Sequence, residues 1–225
     1  MGGSTWAVLV AAGVGERLGA DRPKAFAVLG GRPLLAESLE RLERSDRIDA
    51  IVVVVPPGWE EPVILLAEEI VAAKVTEVVS GGRTRAESVR AGLDEVPADA
   101  LVAVVHDAAR PLLDEAVLER VLAPLADGWD GVVPALPVSD TVKRVTGHQV
   151  VETVERSDLV VVQTPQAFRA AALRAAIAGD LSGATDCASL VERIGGRVRI
   201  VEGDPRLLKV TTRQDLERIE QLLGR

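Results

Sequence analysis

Cations beside glycine-rich turns are the residues of this chain best suited to chemistry. The first such turn reads Ala11-Ala12-Gly13-Val14-Gly15-Glu16-Arg17-Leu18-Gly19 and is followed by Pro23-Lys24. Its glycines let backbone N–H groups approach a phosphate without interference from a Cβ. A dinucleotide fingerprint would want glycine where Leu18 stands, and no Gly-Lys-Ser/Thr phosphate loop is present. Two cations, Arg17 and Lys24, beside exposed backbone donors suit a triphosphate better than a ribose.

Three further segments carry reactive types. Gly81-Gly82-Arg83-Thr84-Arg85-Ala86-Glu87-Ser88-Val89 allows close backbone approach at Gly82 and places Ser88 early on a helix. There its hydroxyl can donate to a base or sugar. The alternative is that Ser88 packs as a small residue while Arg83 and Arg85 are surface charges. In His106-Asp107-Ala108-Ala109-Arg110-Pro111, the Asp107 carboxylate can bind a sugar hydroxyl or Mg²⁺ and Arg110 can hold a phosphate. Asp107 and Arg110 can equally form a structural ion pair. His106 reads as a packed, hydrogen-bonded histidine. Thr185-Asp186 opens a helix with Thr185 as its N-cap. Lys209 stands between Leu208 and Val210, so its charge must find an anion or solvent.

These segments need a frame, and the apolar runs supply one. Short Val-rich stretches at 7–12, 51–55, 75–79, 101–105, 131–135 and 197–201 are continuously apolar, as parallel strands covered on both faces are. Residues 34–42, 63–71, 86–93 and 117–125 place apolar side chains at helical spacing. A last helix starts near Thr211-Thr212-Arg213-Gln214 with a capping box and runs to Leu223. Alternating strand and helix predicts an α/β layered fold with a mostly parallel sheet, in one domain spanning 1–225. Ligands of such sheets bind beyond the carboxyl ends of the strands, where the segments above lie.

Residues 139–156 break the rhythm. Two β-rich arms flank Thr146-Gly147-His148-Gln149, which predicts a hairpin with one polar face. A lone hairpin is marginal, so it either folds back onto its own sheet or embraces a second subunit.

Composition bounds the rest. The 225 residues are 48% hydrophobic and 27% charged, enough for a buried core and unlike a disordered chain. Aromatics are only 2%, which leaves Ala, Val and Leu to fill that core. A net charge of −8 argues against a nucleic-acid coat. One cysteine, Cys187, excludes an internal disulfide, and two histidines do not make a multi-histidine zinc site. No apolar run approaches the roughly 18–20 residues that span a bilayer. The start, Met1-Gly2-Gly3-Ser4-Thr5-Trp6, lacks signal-peptide and myristoylation patterns. The expectation is a soluble cytoplasmic protein.

The ordered set of motifs resembles the 2-C-methyl-D-erythritol 4-phosphate cytidylyltransferases of the non-mevalonate isoprenoid pathway across nearly the whole chain. It is carried by the first turn with Pro23-Lys24, by Gly81-Gly82-Arg83-Thr84-Arg85 with Ser88-Val89 and Gly92, and by 106–111. Asp140-Thr141-Val142-Lys143, Thr164-Pro165-Gln166, Thr185-Asp186 and Lys209-Val210-Thr211 complete it. The resemblance implies a Rossmann-like nucleotidyltransferase sandwich, a Mg²⁺-dependent transfer from CTP to methylerythritol 4-phosphate, and a homodimer joined by the 139–156 arm. It assigns Arg17, Lys24 and Lys209 as the cations around the α-phosphate. It gives CTP to residues 11–17, Gly82, Ser88 and Ala108. Asp107, Arg110 and Thr185 of one subunit, with Thr141 and Arg156 of the other, are left for the second substrate. The pentitol phosphate cytidylyltransferases would share the CTP loops and differ in the alcohol pocket. Two positions depart from the family pattern. Ala25 follows Lys24 where many members have Gln, and Leu207 stands where many have Asn, so another group must anchor the Lys209 loop.

Overall fold

The computed structural model describes residues 3–13, 15 and 22–224. In chain order these form β1 (Thr5–Val10), β2 (Val28–Leu29), β3 (Arg32–Pro33), α1 (Leu34–Arg44), β4 (Ala50–Val55), α2 (Glu60–Glu69), β5 (Val75–Ser80), α3 (Arg85–Asp94), β6 (Val102–Asp107) and α4 (Glu115–Leu122). There follow β7 (Gly131–Pro137), β8 (Val142–Thr146), β9 (Gln149–Val154), β10 (Val160–Val162), β11 (Gln166–Arg169), α5 (Ala170–Ile177), α6 (Cys187–Arg193), β12 (Val198–Glu202) and α7 (Arg213–Leu223). Every apolar run expected to be a strand is one.

The valine run of β4 is buried at all positions because both of its faces are covered. Ile51, Val53 and Val55 join Ala7 and Leu9 in a core with Leu35, Leu39, Val117 and Val121 of α1 and α4. Val52, Val54 and Val8 turn the other way, toward Val89, Leu173, Ile177 and Leu190 of α3, α5 and α6. Strand alternation therefore divides the molecule into three layers, helix on sheet on helix. A smaller cluster of Leu29, Leu34, Leu112, Val210 and Ile219 seats α7 near the segment that carries Lys209.

The eight-stranded sheet runs β10-β7-β11-β6-β1-β4-β5, with β12 added on β7. β6, β1, β4 and β5 are parallel neighbours, and β12 is parallel to β7. β10 and β11 run antiparallel to their partners. From β1 the chain builds outward through β4 and β5, then returns to β6 on the other side of β1. The strand order reverses there, so the carboxyl ends of β1 and β6 open the crevice where open α/β sheets bind ligands.

Three local boundaries differ from the sequence reading. Pro124 has no N–H and cannot continue a helix, so α4 ends at Leu122 and 123–127 form a tighter 3₁₀ turn. The box capping α7 is one residue later than expected: Thr212 accepts from the Asp215 N–H, and Asp215 answers the Thr212 N–H. α6 is capped by the Asp186 carboxylate on the Ser189 N–H, leaving Thr185 outside as an exposed residue.

β8 and β9 pair only with each other, which excludes the reading that they fold back onto the main sheet. Gly147, with φ +57°, opens the two-residue turn between them, a position where glycine relieves the Cβ clash. The expected single polar face is not present. Val142 pairs with Val154 on one face and Val145 with Val150 on the other, the strand register shifting between Arg144 and Val145, and Val145 and Val150 are both more than half exposed. Arg144 pairs with Glu152 across the strands, and Arg156 donates to the Ser139 carbonyl at the base.

Candidate functional site

Three loops leave the carboxyl ends of β1, β5 and β6, and each begins by extending the sheet's hydrogen bonds. The Ala11 N–H donates to Val54 O at 2.7 Å, Gly81 N–H to Val55 O at 2.7 Å, and Ala108 N–H to Val10 O at 3.0 Å. The loops are thus tied to rigid strands before they diverge. Between them lies a cleft of about 650 Å³. Ala11, Ala12, Gly13, Gly15, Lys24, Gly82, Ser88, Asp107, Ala108 and Lys209 all line it, so the strand-end reading brings these ten residues together. Arg17 lies outside the described residues. Arg110, Thr141, Arg156 and Thr185 are not among the described lining residues of the cleft.

The first loop closes on itself. Gly15 has φ +73°, and a Cβ there would lie 2.8 Å from the Cβ of Lys24. Only glycine lets the loop pass that close to the 3₁₀ turn at Lys24–Phe26, a contact that the Lys24 N–H secures on Gly13 O at 3.3 Å. On the facing side, Thr84 and Glu87 form a capping box at the start of α3. Gly92 allows this helix to lie tight on the sheet, since a Cβ would meet Val8 and Val54 at 2.6 Å. Ser88 is buried, and its hydroxyl is committed within the loop. It donates to Thr84 O at 2.9 Å and accepts from the Gly82 N–H at 3.2 Å. It shapes the glycine turn and has no proton left for a base or sugar.

Asp107 anchors the charge of the site. Its side chain is 9% exposed. Oδ1 accepts from Arg85 Nε at 2.9 Å and Nη2 at 2.8 Å, while Oδ2 accepts from Lys209 Nζ at 2.6 Å. Burial alone would push this carboxyl up. Arg85, and then Lys209, outweigh it and hold Asp107 well below the usual carboxylate range. The alternative pairing of Asp107 with Arg110 does not form. A three-residue offset through the tight turn after β6 sends the Arg110 guanidinium to Leu207 O, at 2.6 Å. With the Val210 N–H on Ala109 O at 2.8 Å and the Leu207 side chain fully buried, that bond anchors the Lys209 loop.

His106 is fully buried. Its Nε2 meets Arg110 O at 3.1 Å and its Nδ1 meets Thr164 Oγ1 at 3.2 Å. Burial pushes it down to about 4, so at neutral pH it is an uncharged structural histidine, as the sequence suggested. The sequence reading missed Arg85, Thr211 and the Pro56-Pro57 pair, all of which line the cleft. The prolines follow β4, and the rule applied to the other strands would have found them. Arg85 carried no such signal, because its partners lie 22 and 102 residues away.

Among the described lining residues the cations are Lys24, Arg83, Arg85 and Lys209, against the one carboxylate of Asp107. A locally cationic cleft with backbone donors, in a chain of net charge −8, is complementary to a polyphosphate. No group of three or more His, Cys, Asp or Glu able to hold a metal occurs among the described residues. The one carboxylate of this lining already accepts from Arg85 and Lys209, so a Mg²⁺ here would be held chiefly by substrate phosphates, as this ion commonly is.

Comparison with known proteins gives a consistent result. The family model described as IspD: 2-C-methyl-D-erythritol 4-phosphate cytidylyltransferase matches residues 5–225. A 2-C-methyl-D-erythritol 4-phosphate cytidylyltransferase of Nocardia farcinica is 47% identical over 99% of this chain and 95% of its own. One of Rhodococcus jostii is 46% identical over 95% of this chain and 92% of its own. The crystal structure of 2-C-methyl-D-erythritol 4-phosphate cytidylyltransferase from Thermus thermophilus superposes with a TM-score of 0.79 at 33% identity. It covers 97% of this chain and 98% of that one.

Proposed function

Because the chain belongs to the 2-C-methyl-D-erythritol 4-phosphate cytidylyltransferase family, and so transfers a cytidylyl group from CTP to that alcohol phosphate, we propose how its residues divide the work. The products are 4-diphosphocytidyl-2-C-methyl-D-erythritol, an isoprenoid precursor, and pyrophosphate. The cleft at the strand-order reversal, with Lys24 and Lys209 on its lining, is the observation that carries the assignment.

The backbone at Ala11, Ala12, Gly13, Gly15, Gly82 and Ala108 cradles CTP, in a turn shaped by Ser88. Lys24, Lys209 and Arg17 surround the α-phosphate. An oxygen of the 4-phosphate attacks the α-phosphorus, and the bond to the β-phosphate oxygen breaks with its electron pair leaving on pyrophosphate. The five-coordinate transition state carries more charge on its equatorial oxygens than CTP does, and fixed cations there lower the barrier. No general base is needed, since a phosphate monoester is already an anion near neutral pH. The surroundings agree with this. Asp107 is held ionised by two cations and is a poor base, and His106 has both nitrogens engaged.

Asp107, with Arg110 and Thr185 of the same protomer and Thr141 and Arg156 of a partner's arm, binds methylerythritol phosphate. The uncovered valines of the hairpin support a homodimer joined through 139–156. Mg²⁺ would be held chiefly by the CTP phosphates, with Asp107 the one carboxylate on the described lining beside it, and would neutralise charge and orient the leaving group. The buried free thiol of Cys187 suits a reducing cytoplasm, and no helix among the described residues is long and apolar enough to cross a membrane.

The test is pyrophosphate release from CTP with methylerythritol 4-phosphate or ribitol 5-phosphate, with Mg²⁺ and after EDTA. Release that needs the methylerythritol ester and the metal is expected. Similar turnover of ribitol phosphate, or release unaffected by EDTA, would contradict the assignment.

A further inference from the structure

Arg85 is the first residue of α3, and it reaches across the floor of the cleft to two other elements. Two of its N–H groups converge on the same oxygen, Asp107 Oδ1, at the end of β6. A third, on Nη1, points to the Sγ of Cys187 at 3.6 Å, the first residue of α6. The planar guanidinium is thereby fixed at both ends, and its starting point is fixed by the Thr84–Glu87 capping box. Such an arrangement determines which carboxylate oxygen of Asp107 faces inward and which faces Lys209 and the cleft.

We propose that Arg85 is a positioning residue, which with Cys187 locks Asp107 in one rotamer so that Oδ2 alone is presented to Lys209 and to the alcohol substrate. The inference rests on the reading of Asp107 as a contact for methylerythritol phosphate. Without Arg85, the carboxylate turns about its Cβ–Cγ bond and offers both oxygens to Lys209. A lysine at position 85 would keep a charge but not the two converging N–H groups.

The test is a double-mutant cycle between Arg85 and Asp107, because residues acting through one another are not additive. Arg85→Gln should lower kcat/KM for methylerythritol 4-phosphate by about 10²-fold and Arg85→Lys should not restore it, by analogy with the loss of a preformed donor. In an Asp107→Asn background the same change should cost less than about threefold, and the Kd of CTP should stay within about threefold throughout. Cys187→Ala supplies a milder second probe, with a loss of several fold that also vanishes in Asp107→Asn. Factors that multiply across the cycle, or an equal loss of CTP affinity, would overturn the proposal. An Asp107→Asn enzyme with wild-type kcat/KM would overturn the reading of Asp107, and this proposal with it.

Discussion

Lys209 Nζ lies 2.6 Å from Asp107 Oδ2, joining residues 102 positions apart at the mouth of the cleft. The ammonium is aimed before any substrate arrives, held by a carboxylate that Arg85 already neutralises from the other side. On the proposed assignment, a bound triphosphate would offer this ammonium a second anionic partner. Preformed charge of this kind stabilises a transition state without reorganising solvent at the moment of reaction.

The depth of this arrangement is readable in the thiol beneath it. Burial pushes Cys187 up to about 11, against the opposing pull of Arg85. The folded state therefore holds its proton through a range where the unfolded thiol, near 9, has lost it. That contribution to stability is fully present below pH 9 and is lost as pH rises toward 11. A disulfide reagent at pH 8 should leave the native protein unmodified and titrate one thiol after denaturation in urea. Rapid reaction of the native protein would show that α6 does not bury the sulfur.

Gly81 joins the two glycine loops. A Cβ there would fall 2.5 Å from Ala12 Cβ and 2.7 Å from Ser88 Oγ. Gly81→Ala must push the first loop away from α3, at a cost of about 1–3 kcal/mol in stability. Urea unfolding should register that loss, and the KM for CTP should rise about tenfold, comparable to one lost contact of 1.4 kcal/mol. An unchanged KM would mean that the first loop does not cradle the nucleotide.

The arm makes a separate prediction. Light scattering at micromolar concentration should return a dimer mass, and replacing 142–154 by a short turn should return a monomer. Arg156→Ala should weaken binding of the alcohol phosphate by at least about tenfold, as expected for loss of a charge-assisted hydrogen bond, and leave CTP affinity nearly unchanged. Because Arg156 also braces the base of the hairpin on Ser139 O, the variant's mass must be measured alongside. Equal loss of both affinities in an intact dimer would assign Arg156 to folding instead.

Much of this site was legible because parallel strands announce themselves. The fully buried valines of 50–55 can only be a covered strand, and the chemistry sits where such strands end. Ala12, Gly82, Asp107 and Ala108 follow from that rule alone. Side-chain direction did not. Arg110 stands three residues after Asp107, yet the turn aims it at Leu207 O, and Arg85 reads as a solvated charge until β6 and α6 are brought beside it. The short antiparallel strands β10 and β11 carry too few residues to show a period. The alanines of α5 spread apolar character around the helix and leave no stripe.

The central claim is that fixed cations around the α-phosphate, rather than a base, drive the transfer, and Lys209→Met tests it most directly. The variant removes the ammonium while Arg85 still holds Asp107. Pyrophosphate release measured at saturating CTP and methylerythritol 4-phosphate should fall on the order of 10²–10³-fold, with the Kd of CTP changed only a few fold. A turnover number within a few fold of the wild-type value would contradict the account and place the catalytic charge elsewhere.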